Sequence, residues 1–213
     1  MILFAKTPVP GRVKTRLQPP LTASQAAVLY TAFVRDMLRK LCVFNDFAEI
    51  ELHTDTPTDA WPEARVTRKL QCAGDLQLKL FHALDAGLKQ GRERVIVIGS
   101  DSPTLPSGHL MRLLQSEADV ALGPCDDGGY YAIACRRVSE RMFQDVAWST
   151  RDALAQTAEA ARKSGLTVEL GENWWDVDEP ADLNRLISTQ DLPPHTADAL
   201  LNLRSALNLR SAL

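Results

Sequence analysis

Paired cysteines, a basic surplus and long apolar runs are all missing from this chain of 213 residues. Cys42, Cys72, Cys125 and Cys135 are scattered, with no C-x-x-C pair and no histidine at zinc-finger spacing. They read as free thiols in a reducing compartment, which predicts a cytoplasmic protein. No basic N-terminal segment leads into an apolar core, and no apolar run approaches the roughly 20 residues that span a bilayer, so no membrane span is predicted. The formal net charge of -3 argues against nucleic acid as a partner and makes any local cluster of positive charge informative. P-loop and G-x-G-x-x-G signatures are absent, which leaves phosphate binding to side chains. G-x-S-x-G and a catalytic-cysteine context are absent too. His53, His82, His109 and His195 stand apart from any nucleophile signature, so hydrolysis through an acyl intermediate is unsupported.

What is present is enough for a full core: 45% of the residues are hydrophobic. An apolar run at 2–5 predicts a buried strand. Between 22 and 42 the residues Ala26, Leu29, Tyr30, Phe33, Met37, Leu38 and Leu41 recur at helical spacing, which predicts an amphipathic helix capped by Thr22 or Ser24. Strands are predicted at 49–53, 95–98, 119–122, 131–134 and 166–170, and helices at 76–90 and after Ser107, Ser149 and Pro180. Ser149 and Asp152 have capping-box spacing, with Trp148 as the preceding apolar clamp. This alternation predicts an α/β fold of three α/β/α layers around a mostly parallel sheet. Residues 1–188 form the predicted domain. The remainder, 189–213, is a tail carrying NLRSAL twice, at 202–207 and 208–213, read as a peripheral helix or frayed end.

Ligands of such sheets bind beyond the carboxyl ends of the strands, which directs attention to four loops. In FAKTPVPGRVKTRL (4–17), Pro8 and Pro10 stiffen the chain and Gly11 permits a turn that presents Arg12, Lys14 and Arg16. Such cations suit a di- or triphosphate, and replacing Lys14 and Arg16 by alanine is then expected to weaken nucleotide binding while leaving the melting temperature nearly unchanged; the competing reading is a solvated basic loop. In GSDSPTLP (99–106), Asp101 sits where a hard cation holding phosphate oxygens is useful, or it makes an Asx turn before Pro103. In GPCDDGGYY (123–131), Asp126, Asp127, Gly128, Gly129 and Tyr130 either let a ligand approach closely or form an Asp-Gly-Gly hairpin, and only one of Tyr130 and Tyr131 is expected to face the cleft. In WWDVDEPADL (174–183), Asp178 before Pro180 resembles a helix start, whereas Asp176 has no capping role.

Taken in order, these motifs together with GDL (74–76) and WST (148–150) resemble the DUF2064 family of glycosyltransferase-like proteins in the nucleotide-diphospho-sugar transferase superfamily, over 2–187. The resemblance implies a GT-A type fold. The layout is also similar to guanylyltransferases acting on phospholactate or phosphoenolpyruvate. It implies a nucleotide site of Pro10, Gly11, Arg12, Lys14, Arg16 and Asp101, with Lys14 and Arg16 on the phosphates and stabilising the leaving group. It also implies Mg²⁺ or Mn²⁺ on Asp101, Asp178 and Asp176. Asp126, Asp127, Gly128, Gly129 and Tyr130 would face the acceptor, with Asp127 taking its proton. After Gly74-Asp75-Leu76, where relatives continue Gly-Glu-Arg, this chain has Gln77-Leu78-Lys79. The activity expected first is glycosyl transfer from a nucleotide sugar to a small-molecule acceptor. The alternatives are nucleotidyl transfer to a phosphorylated acceptor with pyrophosphate release, and nucleotide binding without turnover.

Overall fold

The computed structural model describes residues 1–203. Seven strands, β1 (Ile2–Ala5), β2 (Glu51–Thr54), β3 (Thr67–Leu70), β4 (Val95–Ile98), β5 (Val120–Pro124), β6 (Tyr130–Cys135) and β7 (Val168–Leu170), form one sheet among the described residues. Its order is β3-β2-β1-β4-β6-β5-β7. Strand β6 runs antiparallel to β4 and β5, and the other neighbours pair parallel. The reversal is local: residues 125–129 turn the chain straight from β5 into β6, whereas parallel neighbours require crossovers. The expected mostly parallel α/β fold is therefore present, with one strand inverted by a hairpin.

Of the helices α1 (Ala23–Leu41), α2 (Leu76–Lys89), α3 (Ser107–Gln115), α4 (Ala153–Lys163), α5 (Pro180–Ile187) and α6 (Pro194–Asn202), the first four pack on the sheet, while α5 and α6 pack against the first loop and α1. Thr22 caps α1 in a reciprocal box with Gln25, and Asp75 caps α2 by accepting from the Leu78 N–H. In β4 the alternation of strand side chains sends Ile96 and Ile98 to the layer of α1 and α3, and Val95 and Val97 to that of α2 and α4.

Two local expectations differ from the structure. Strand β3 has no signal in the sequence, because its residues, TRKL, lie exposed along the sheet edge and carry no apolar alternation. Its Arg68 and Lys69 are the kind of residue that discourages further edge pairing. The Ser149–Asp152 capping box does not form. Ser149 has a positive φ of 61°, Asp152 immediately precedes α4 without a side-chain cap, and Trp148 packs edge-on to Tyr130 instead.

A third apolar cluster fixes what lies beyond the strand ends. It joins Leu17 and Leu21 of the first loop to Leu29 and Phe33 of α1, Trp175 and Val177, Leu183 and Leu186 of α5, and Ala199 and Leu200 of α6. Leu17 and Val177 are fully buried, each contributing roughly 1.5–3 kcal/mol of burial. Helix α6, within the predicted tail, is tied down by Asp36 of α1. That carboxylate accepts from the His195 N–H (3.1 Å), the Thr196 N–H (2.7 Å) and the Thr196 hydroxyl (2.7 Å). Apart from Asn202 and Leu203, the tandem hexamer lies outside the described residues.

Candidate functional site

Strand β1 lies between β2 and β4, and the chain leaves it toward β2, so the loops after β1 and β4 part at a topological switch point. The first loop carries Lys14 and Arg16, the second Asp101. Segment 174–178 is fastened to the second by the Val177 N–H donating to the Asp101 carbonyl at 2.9 Å, which brings Asp176 and Asp178 to the same edge.

Lys14 has left-handed backbone, φ 47° and ψ 41°, a conformation uncommon for a residue with a side chain. Anchored by Leu17 three residues on, it turns its side chain inward, where only 3% is exposed. Its ammonium contacts the Asp101 carboxylate and donates to Asp178 Oδ1 at 2.7 Å. Burial opposes the charge on Lys14, but Asp101 and Asp178 more than offset it and hold the ammonium well above its usual pKa. Arg16, 63% exposed, donates to the other Asp178 oxygen at 2.8 Å. Burial would raise Asp178, yet Lys14 and then Arg16 hold its carboxyl below the usual range. The basic loop is thus not simply solvated: Lys14 is buried, while Pro10, Gly11 and Arg12 lie exposed at its tip.

Neither aspartate serves the local role that sequence offered as the alternative. Asp101 meets Lys14. The start of α5 is boxed by Glu179 and Asp182, which leaves the Asp178 carboxylate for Lys14 and Arg16.

Asp176 completes an acidic group. Its pKa is pushed up to about 7, first by burial and then by Asp178, Asp127 and Asp101. Oxygens of Asp176 and Asp127 and the Cys125 sulfur lie within 4.8 Å of one another. Burial, with Asp176 and Asp127 next, pushes the Cys125 thiol up. Two of the three donors in this cluster, on Asp176 and Asp127, are carboxylate oxygens, and with those of Asp101 and Asp178 at the same edge they are the hard ligands that suit a divalent cation such as Mg²⁺.

The 123–131 loop is a hairpin turn. The Gly128 N–H donates to the Cys125 carbonyl at 3.0 Å, and Asp127 Oδ1 accepts from the Gly129 N–H at 2.8 Å. The room at Gly128 is used by the chain itself: a Cβ there would lie 2.1 Å from the Arg151 carbonyl oxygen. Tyr130 sits on the α2/α4 side with its hydroxyl buried, and Tyr131 on the α3 side donates to the Glu172 carbonyl. Neither hydroxyl is free to meet a ligand, which corrects the expectation that one tyrosine faces the cleft. Asp126 is paired at 2.7 Å with Arg185, whose guanidinium stacks 4.4 Å over Trp175.

Sequence reasoning missed Arg185, Tyr30 and Lys40. The Tyr30 hydroxyl accepts from the Lys6 N–H at 2.8 Å and bonds Ser100 at 2.9 Å, linking the loops after β1 and β4. Lys40 donates to the carbonyls of Pro103 and Leu105, bracing the loop of Asp101. Tyr30 belongs to the apolar stripe of α1, Lys40 to its polar face and Arg185 to the short helix α5; no local signal separates them from ordinary residues at such positions.

A family model described as "Uncharacterized protein conserved in bacteria (DUF2064)" matches residues 35–150. The chain is 32% identical over 111 residues to the 2-phospho-L-lactate guanylyltransferase of Methanocorpusculum labreanum, covering 51% of this chain and 50% of that relative. It thus spans about half the length of the curated relative it matches. A protein of Desulfovibrio desulfuricans G20, provisionally named a nucleotide-diphospho-sugar transferase, is 30% identical with a TM-score of 0.86, over 97% of this chain and 95% of that one. The inositol-1-phosphate CTP transferase of T. maritima is alike in fold alone, at 14% identity and a TM-score of 0.51 over 93% of this chain and 95% of that one. Among the described residues no helix is long and apolar enough to cross a membrane.

Proposed function

The chain belongs to the DUF2064 family, and on that premise we propose that it is a metal-dependent nucleotidyltransferase joining a nucleoside triphosphate to a small phosphorylated acceptor. The observation that carries this reading is the convergence of Lys14 and Arg16 with Asp101, Asp176 and Asp178 at one switch point of the sheet. The name of the Methanocorpusculum labreanum relative supports it. A phosphate oxygen of the acceptor attacks the α-phosphorus, a new P–O bond forms, and the bond from that phosphorus to the bridging oxygen breaks, releasing pyrophosphate. Mg²⁺ or Mn²⁺ held by Asp101, Asp176 and Asp178 would neutralise charge on the phosphates. Lys14 and Arg16 stabilise the leaving pyrophosphate, and Arg12 at the exposed tip adds charge suited to a triphosphate. A phosphate oxygen is ionised at neutral pH, so the acceptor needs no general base and Asp127 keeps its place in the turn.

A second reading, glycosyl transfer from a nucleotide sugar, is favoured by the name of the Desulfovibrio desulfuricans protein. It assigns Asp127 to take a proton from an acceptor hydroxyl. Incubation with Mn²⁺ or Mg²⁺, each nucleoside triphosphate and a panel of small phosphorylated acids separates the two. Pyrophosphate release with a new nucleotide-linked product by mass spectrometry is the expected result. A nucleoside diphosphate released from a UDP- or GDP-sugar, with no pyrophosphate from any triphosphate, would replace it with the second reading. Nucleotide binding without product in either assay would leave a binding protein.

A further inference from the structure

The Lys14 ammonium lies where the two outer carboxylates meet. It touches Asp101 and Asp178, and its nitrogen lies 5.9 Å from the centroid of the Phe33 ring. An ammonium has three protons to donate. With two committed to carboxylates, Lys14 cannot engage a phosphate fully without releasing one of them. A divalent ion on those same oxygens would stand a few ångström from the ammonium, and in a half-buried site two such like charges repel by far more than thermal energy. Lys14 and the ion therefore exclude each other from this pair.

We propose that Lys14 is a tethered counter-cation that keeps the Asp101–Asp178 pair closed to a divalent ion until an anionic substrate draws the ammonium away, so that metal and nucleotide enter together. The inference rests on the nucleotidyltransferase reading for the substrate that receives the ammonium. The charges balance in both states. Before substrate, Lys14 and Arg16 compensate Asp101 and Asp178. Afterwards the carboxylates hold the dication, and Lys14 meets the phosphates. The left-handed backbone at Lys14 and the buried Leu17 anchor keep the lysine stem at the site in both states, so only the end of the side chain has to move.

The test is Mn²⁺ binding to the metal-free full chain without nucleotide, read from the electron paramagnetic resonance signal of free Mn²⁺, for wild type, Lys14→Met and Lys14→Arg. Removing the ammonium should tighten Mn²⁺ binding by roughly tenfold or more, whereas Lys14→Arg, which keeps the charge, should stay as weak as wild type. If Lys14→Met does not fold by circular dichroism, Lys14→Gln, whose amide still donates to a carboxylate, takes its place. Equal Mn²⁺ affinity in wild type and the neutral variants, including no binding by any, overturns the proposal. Because no nucleotide or turnover enters this measurement, missing pyrophosphate release would defeat the nucleotidyltransferase reading alone, and equal Mn²⁺ affinities the counter-cation alone.

Discussion

Two cations two positions apart in sequence occupy opposite environments, and their substitutions should separate accordingly. Arg16 is 63% exposed, and exposed pairs contribute about 0–1 kcal/mol. Arg16→Ala should leave the melting temperature nearly unchanged while weakening triphosphate binding, as isothermal titration would measure. Lys14→Ala should lower the melting temperature, because it abandons Asp101 and Asp178 beside Asp176 with one positive charge fewer. Removing one partner of a fully buried pair typically costs about 3–5 kcal/mol; because Asp101 is 42% and Asp178 25% exposed, solvent screens both carboxylates and the loss should fall below that range. That revises the sequence expectation that the basic loop is silent in stability. Asp176 sets a pH dependence of opposite sign to that of an ion-paired carboxylate. With a folded pKa of about 7 against an ordinary aspartate value of 3.8, the folded state binds more protons between these values, so its contribution to stability falls as pH rises through this window. In metal-free protein Asp176→Asn should therefore melt higher than wild type at pH 8, and the difference should close as pH falls below 7. A difference independent of pH would contradict the raised pKa.

At the scale of elements, the site depends on how loops and helix ends are pinned. Gly128, at φ 87° and against the Arg151 backbone, holds the β5–β6 hairpin to the start of α4, where the Leu154 N–H donates to its carbonyl at 3.0 Å. Gly128→Ala adds both left-handed strain and a backbone clash. It should cost at least roughly 1–3 kcal/mol in urea unfolding, whereas Gly108→Ala, with open space around it, should be close to neutral. Asp36 plays the corresponding part for α6: its buried carboxylate takes three donors from the start of that helix. Asp36→Ala leaves those donors unpaired and should cost about 1–3 kcal/mol. Asp36→Asn, which keeps one accepting oxygen, should recover part of this, and hydrogen exchange should show α6 opening before the sheet in the alanine variant.

For the whole molecule, the sheet order sets where charge can accumulate. β1 and β4 are interior neighbours with parallel register, so their following loops open at one edge, and the third apolar cluster folds residues 174–178 over it. A ligand spanning these segments binds only the folded chain and stabilises it by mass action, by about 2.7 kcal/mol at a hundredfold excess over its dissociation constant. Nucleoside triphosphate with Mg²⁺ should accordingly raise the melting temperature more than the sum of the two added singly. Strict additivity would show that metal and nucleotide occupy independent sites.

The order of strands and helices was legible because periodicity is local: Val95-Ile96-Val97-Ile98 reads as a buried strand and the Ala26–Leu41 stripe as a helix in any surroundings. The same logic placed Lys14, Arg16, Asp101, Asp176 and Asp178 after strands, hence at one edge of an α/β sheet. Strand β3 was illegible, since an exposed edge carries no burial pattern. Only tertiary structure decided which charge is buried and which partner it meets. Lys14 and Asp178 are 164 residues apart in sequence, and they meet because Leu17 and Val177 bury themselves in one cluster. Likewise, the glycine in Asp127-Gly128-Gly129 signals space in either setting. The Arg151 backbone fills that space, a contact that no spacing within the motif encodes. Local pattern specifies backbone conformation, whereas the environment of a charge depends on whichever distant segments the apolar clusters bring against it.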